Sequence, residues 1–173
     1  PRDMSERQLS EGTLVRVVSR RGAIVLTLQA SADLTTGQVF MPMHWGSESL
    51  SGHANDGSTM AGVNSLTSPA FCPDSKQPEL KHAAVRVEPA HLPWSLLAMA
   101  LLPSGCALQT LQRLREKMVH FEFASCVPFA AEGASSGGVT GVLLRAANTA
   151  AVEGPLLDEL EALLGLDAPD ALR

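Results

Sequence analysis

Apolar and polar positions change rhythm several times along the chain, and each rhythm predicts an element. Residues 13–19 (Thr-Leu-Val-Arg-Val-Val-Ser) are rich in β-branched side chains and predict a strand. Ser19-Arg20-Arg21-Gly22 predicts a tight turn, with Gly22 able to take positive φ. Residues 23–30 then predict a second strand and so a hairpin. After Thr36-Gly37 a short strand is expected at residues 38–41, ended by Pro42, which has no amide to donate. Residues 46–81 lose all periodicity and are rich in Ser, Gly, Asn, Asp and Pro. A compact domain seldom keeps more than about 12–15 loop residues without a functional reason, so this stretch is read as a binding element. A strand returns at residues 84–88, and Pro89 closes a first domain.

The second half has a different rhythm. Leu108, Leu111, Leu114 and Met118 recur at helical spacing and predict an amphipathic helix over residues 107–117. Val119, Phe121 and Phe123 alternate with His120, Glu122 and Ala124, which is strand-like. A Gly/Ser loop at residues 133–138 leads to a strand at 139–146. Pro155 suits the first turn of a last helix, with Asp158, Glu159 and Glu161 near its positive end. Leu156, Leu160, Leu163 and Leu164 form its buried stripe, and Gly165 stops it.

Composition narrows the function. Of 173 residues 45% are hydrophobic and 18% charged, enough for a packed core and too apolar for disorder. Thirteen basic against eighteen acidic residues give −5, with no basic cluster, which argues against nucleic acid or an anionic membrane as partner. The apolar run from Leu92 to Leu102 is broken by Pro93 and falls short of the roughly 20 residues of a membrane span. Cys72, Cys106 and Cys126 are odd in number and widely spaced, which predicts reduced thiols and a cytoplasmic setting rather than a disulfide framework or metal cluster. The five histidines show no short ligand spacing, no Gly-x-Ser-x-Gly elbow is present, and neither Gly57 nor Gly62 lies in a phosphate-loop pattern. No catalytic residue and no metal ligand is therefore assigned. The chain opens on Pro1 without a Met, so a piece of a longer protein is expected.

Three ordered motifs carry a resemblance. Val39-Phe40-Met41-Pro42-Met43-His44-Trp45-Gly46 is followed by Asn64-Ser65-Leu66-Thr67-Ser68-Pro69, and then by Ser75-Lys76-Gln77-Pro78-Glu79-Leu80-Lys81. Together with the opening Ser10-Glu11-Gly12-Thr13-Leu14-Val15-Arg16-Val17, they resemble the molybdopterin-dinucleotide-binding domains of the dimethyl sulfoxide reductase superfamily, within it those of assimilatory nitrate reductases. The resemblance implies a mainly β fold: a six-stranded double-psi β-barrel (aspartate-decarboxylase-like) over residues 1–90, with a small α+β C-terminal extension over 91–173. It implies molybdenum bis(molybdopterin guanine dinucleotide) as cofactor, shared with domains outside this chain, and an iron–sulfur cluster only in the N-terminal part of the parent enzyme. The implied partners are that cofactor and the remaining domains of the parent enzyme.

Cofactor contacts are expected from His44, Trp45, Asn64, Ser75, Pro78, Glu79 and Lys81. A pterin edge presents paired donors and acceptors, which one Asn64 carboxamide meets. Pyrophosphate takes cations and backbone amides, which Lys81 and the Ser/Thr-rich turns supply. Plainer roles stand beside these: Asn64 capping a turn, Lys81 solvated at a strand start, Trp45 packing in the barrel, His44 orienting the loop. Two further readings share the pattern, the equivalent domain of a formate dehydrogenase and a free-standing double-psi barrel acting as an interaction module.

Overall fold

A computed structural model describes residues 1–44, 46, 52–54, 62–78, 82–130 and 139–165. The chain divides into two compact units, Pro1–Gly46 with Ser51–His91, and Leu92–Arg173 with Ser47–Leu50. It is mainly β, with two antiparallel sheets and few helices. Among the described residues no helix is long and apolar enough to cross a membrane.

The first unit opens with a five-residue helix, α1 (Arg2–Glu6), and then the expected hairpin. Strand β1 (Leu14–Val18) pairs antiparallel with β2 (Gly22–Thr27), from Leu14 opposite Thr27 to Val18 opposite Ala23. Val15, Val17 and Ile24 are almost wholly buried on one face of this sheet, and Val25, opposite Arg16, is buried on the other. The turn is not made by a positive-φ glycine, since Gly22 lies outside that region and begins β2. Ser19 makes it instead: its Oγ accepts the amides of Arg21 (3.0 Å) and Gly22 (3.3 Å), and its own amide donates to the Gly22 carbonyl. A serine side chain thus does by hydrogen bonding what a glycine does by backbone freedom.

Strands β3 (Gly52–Ala54) and β4 (Arg86–Pro89) flank the hairpin, giving the order β3-β2-β1-β4. β4 overlaps the strand expected at 84–88, beginning two residues later and ending one later, and Pro89 sits at the edge position that a missing amide permits. Residues 46–81 are less loop-like than their composition predicts, because they hold β3 and a 3-10 turn at Val63–Leu66. The strand expected at 38–41 is absent. Val39 and Phe40 are exposed there, so no buried face exists to hold a ladder. Among the described residues the sheet has four strands and no closed barrel.

The second unit runs β5 (Trp94–Pro103), α2 (Ser104–Lys117), a 3-10 turn (Met118–His120), β6 (Phe123–Ala130), β7 (Val139–Asn148) and α3 (Gly154–Leu164). Its sheet has the order β5-β7-β6, all antiparallel. One core gathers Leu111, Leu114 and Met118 with Phe121, Cys126, Val142, Leu144, Leu160 and Leu164. Trp94 stacks on Phe121 with ring centroids 6.0 Å apart, and Lys117 pairs with Glu159 between the two helices. Gly165 closes α3 at φ 69, where a side chain would be strained.

Several expectations for this half change. The α2 stripe is Ala107, Leu111, Leu114 and Met118, while Leu108 lies one step round the helix and is 66% exposed. The alternation at 119–124 is not one strand. A 3-10 turn leaves Val119 in solvent, and once β6 starts at Phe123 it is Ala124 and Cys126 that turn to the core. Helix α3 begins at Gly154, so Asp158, Glu159 and Glu161 lie beyond its first turn. The ten-residue β5 has no counterpart among the strands the sequence predicts. Its run of apolar residues shows no alternation to read, because both of its faces are apolar.

Candidate functional site

Two of the motifs lie on local structures of the first unit. The first is the 3-10 turn Val63–Leu66. Gly62, at φ 65, turns the chain into it, and the Ser65 hydroxyl and amide both donate to the Gly62 carbonyl at 2.9 and 3.2 Å. Ser65 and Leu66 are fully buried and Val63 nearly so. Asn64 is the one residue of the four whose side chain is exposed. Three buried neighbours and a carbonyl that accepts the Thr67 amide at 3.3 Å hold its backbone. The N-cap of this turn is Gly62, which has no side chain to cap it. The arrangement is an anchored carboxamide facing solvent.

The second structure is the turn at residues 71–78. Phe71 and Pro78 form an isolated antiparallel bridge, the Cys72 amide donates to the Gln77 carbonyl (2.8 Å), and the Lys76 amide donates to the Cys72 carbonyl (2.9 Å). Ser75 Oγ accepts the Gln77 amide at 3.4 Å. Lys76 has φ 58, an uncommon conformation for a residue with a side chain, and its ammonium lies 5.5 Å from the centre of the Phe71 ring. His44, which precedes both turns in the chain, also has positive φ (73) and an exposed side chain. Such backbones cost about 1–3 kcal/mol each and gather at ligand-binding positions.

The structure therefore places His44, Asn64, Ser75 and Pro78 at exposed positions of the first unit. Trp45, Glu79 and Lys81 lie outside the described residues. Among the described residues no group of three or more His, Cys, Asp or Glu side chains could hold a metal ion. Lys76 was not singled out by its sequence, although a lysine between Ser75 and Gln77 in a polar turn is the signal for it.

Cys72 was read only as a reduced thiol. Hydrogen bonds from the Ser75 side chain and backbone, with help from the Asp74 backbone, hold its pKa below the ordinary thiol range, while burial pushes Cys126 up. Cys72 is exposed and Cys126 is buried. Because the thiolate is the nucleophile, iodoacetamide at pH 7 should label Cys72 well before Cys126 in peptide mapping. The Cys72 rate should hold to lower pH than that of a free cysteine, and Ser75→Ala should slow it. Equal labelling of the two thiols in the folded protein would contradict the turn geometry.

A polar groove in the second unit, of about 650 Å³, includes Lys117, His120, Glu122, Asn148 and Glu159 in its lining. Its groups serve one another. The Asn148 carboxamide accepts the Glu122 amide at 2.7 Å and donates to the His120 carbonyl, and Glu122 accepts the Thr149 amide. This network ties the end of β7 to the start of β6.

Comparison with known proteins falls on the unit that carries the two turns. The family model for the molydopterin dinucleotide binding domain matches residues 1–84. A nitrate reductase of Synechocystis sp. is 46% identical over 71 residues, 41% of this chain and 9% of that protein. The alpha subunit of an F420-dependent formate dehydrogenase from Methanocaldococcus jannaschii is 35% identical over 88 residues, 51% of this chain and 11% of that protein. A nitrate reductase of Klebsiella oxytoca is 29% identical over 126 residues, 72% of this chain and 14% of that protein. The chain thus spans only about a tenth of the length of these relatives. No solved structure matches it. The Asn64 and Ser75–Pro78 turns fall within the matched segment, and over residues 1–84 this chain is similar to the molydopterin dinucleotide binding domain family.

Proposed function

We propose that this chain is the cofactor-holding C-terminal part of a cytoplasmic, assimilatory molybdenum-dependent nitrate reductase, and that it binds molybdenum bis(molybdopterin guanine dinucleotide) through its first unit. The observation that carries the reading is the pair of turns inside the family segment, one presenting Asn64 and the other Ser75 and Lys76. Their donor chemistry fits the group. An anchored carboxamide offers a donor and an acceptor side by side, as a pterin edge requires. A turn crowned by a hydroxyl and an ammonium suits a pyrophosphate. Lys81 would add a second cation, and His44, Trp45, Pro78 and Glu79 would complete the wall. In this reading residues 1–90 form a six-stranded double-psi barrel, of which four strands are described, and 91–173 form a small α+β C-terminal extension.

The molybdenum, when bound, supplies the two-electron chemistry that takes an oxygen atom from nitrate and leaves nitrite. The residues of this chain orient the pterin and neutralise phosphate charge, work that proteins do for cofactors generally. An iron–sulfur cluster, in this reading, belongs to a part of the enzyme N-terminal to Pro1. Nitrate is favoured over formate because identity is higher with the Synechocystis nitrate reductase. The Klebsiella match also covers 72% of the chain, and so necessarily runs beyond Leu92 into the second unit.

The test uses the longer protein that carries this segment. Asn64→Ala and Lys81→Ala should each lower molybdenum content, measured by mass spectrometry of the purified protein, while circular dichroism stays unchanged. Losing one partner of a charged hydrogen bond costs about 1.5–3 kcal/mol, or roughly ten- to a hundred-fold in affinity. Full molybdenum in both variants would refute the assigned contacts. A protein that oxidises formate with a dye acceptor, and forms no nitrite from nitrate, would establish the second reading.

A further inference from the structure

The second unit carries a surface that the cofactor reading does not use. Its elements run β5-α2-β6-β7-α3, with β7 between β5 and β6. Among the described residues this matches the split β-α-β arrangement without its last strand, which in that arrangement lies antiparallel against the first. Among the described residues β5 pairs on one edge alone, with β7, in an unbroken register from Trp94 opposite Asn148 to Pro103 opposite Val139. Sheet edges are normally blunted by charge, proline, a bulge or shortness. β6, at the other edge, has Pro128 within it. β5 is ten residues long with no bulge and no charged residue, and its proline stands only at its end.

Its outward face is apolar as well. Leu97, Met99 and Leu101 are 71%, 62% and 61% exposed. Leu143 and Val127 continue the row of Met99 across the sheet, and Phe129 continues the row of Leu101 by lying over Gly141, where a Cβ would come within 2.3 Å of its ring. The Met99 and Leu101 rows are apolar across the sheet, while the Leu97 row continues into Arg145 and Ser125; an exposed apolar patch of this kind marks an interaction surface.

The sequence of the strand identifies the occupant. Residues 96–102 read Leu-Leu-Ala-Met-Ala-Leu-Leu, the same in both directions about Met99. We propose that the open edge of β5 pairs antiparallel with β5 of a second copy of this chain, about a two-fold axis at Met99, joining two three-stranded sheets into one of six. That axis sets Met99 opposite Met99, Leu97 opposite Leu101 and Leu96 opposite Leu102. Ala98 then faces Ala100, keeping the sheet faces level where the two copies meet. From Leu96 to Leu102 every cross-strand pair is a match of like size and no like charges meet, the pairing that stabilises antiparallel strands. A two-fold interface requires this self-complementarity. Each copy carries a net charge of −5, so the association should tighten as salt screens the repulsion.

The experiment is sedimentation velocity on the 173-residue chain from low to high micromolar concentration, expected to show a species of twice 18.2 kDa that grows with concentration and with salt. Met99→Lys and Met99→Glu place a charge opposite its own copy, and each variant should sediment as a monomer with unchanged circular dichroism. Mixing the two should restore the dimer, because lysine then faces glutamate. A wild-type chain that stays monomeric throughout overturns the proposal. So does a dimer that survives either substitution, or a mixture that does not re-form one.

Discussion

Offered nitrate and reduced viologen, the purified chain will form nitrite no faster than buffer alone. The expectation follows from what a cofactor-binding unit contributes. Reducing nitrate needs two electrons and a site that accepts an oxygen atom, and these are supplied by the cofactor and by whatever delivers electrons to it. The relatives that this chain resembles are about ten times longer than the segment it matches, so the proposed cofactor would meet only one wall here. The contacts proposed for His44 and Asn64 start from exposed positions, which a closing second wall would turn into enclosed ones. Hydrogen bonds in water gain far less than the same bonds in a sealed cleft. The check is a colorimetric nitrite assay over hours, with the longer protein as positive control. Turnover by the chain alone would show that it is an enzyme in its own right and would overturn the reading of a binding unit.

Leu114→Ala will destabilise the second unit by about 2–5 kcal/mol, while Leu108→Ala on the same helix will change it by no more than about 0.5 kcal/mol. Leu114 is fully buried in the cluster that joins α2 to β7 and α3, and a truncated side chain there leaves a cavity that the surrounding Val142, Leu144 and Leu160 fill only partly. Leu108 is 66% exposed and leaves nothing behind. Hydrogen exchange followed by mass spectrometry reads both in one experiment. Peptides from α2 and β7 should lose protection in the first variant and keep it in the second. Equal losses would mean that the helix is phased differently from the stripe Ala107, Leu111, Leu114 and Met118.

That pair of leucines also shows how far a sequence can be read. Helical spacing placed α2 within three residues of its observed start and found three of its four buried positions, because a 3.6-residue period is a local property of the chain. It chose Leu108 wrongly because a leucine one step off the stripe is as hydrophobic as one on it. Only the position of the sheet beneath decides which side is covered.

The hairpin of β1 and β2 was legible from β-branched residues around a short polar turn, and α3 from its leucine stripe and Gly165. The Asn64 and Ser75 motifs were legible as residue patterns. Their anchoring, with Ser65 and Leu66 buried and Ser19 shaping its own turn, was not, because burial is a property of what packs overhead. β5 shows the limit most clearly. Its palindromic run is written in the sequence, but an uninterrupted apolar stretch reads equally as helix, buried strand or core filler. Pairing with β7 makes it a strand, the helices take one of its faces, and among the described residues no strand pairs with its far edge. Local spacing thus determined which segments could be regular; the contacts between distant segments decided which faces were buried and which were left to bind.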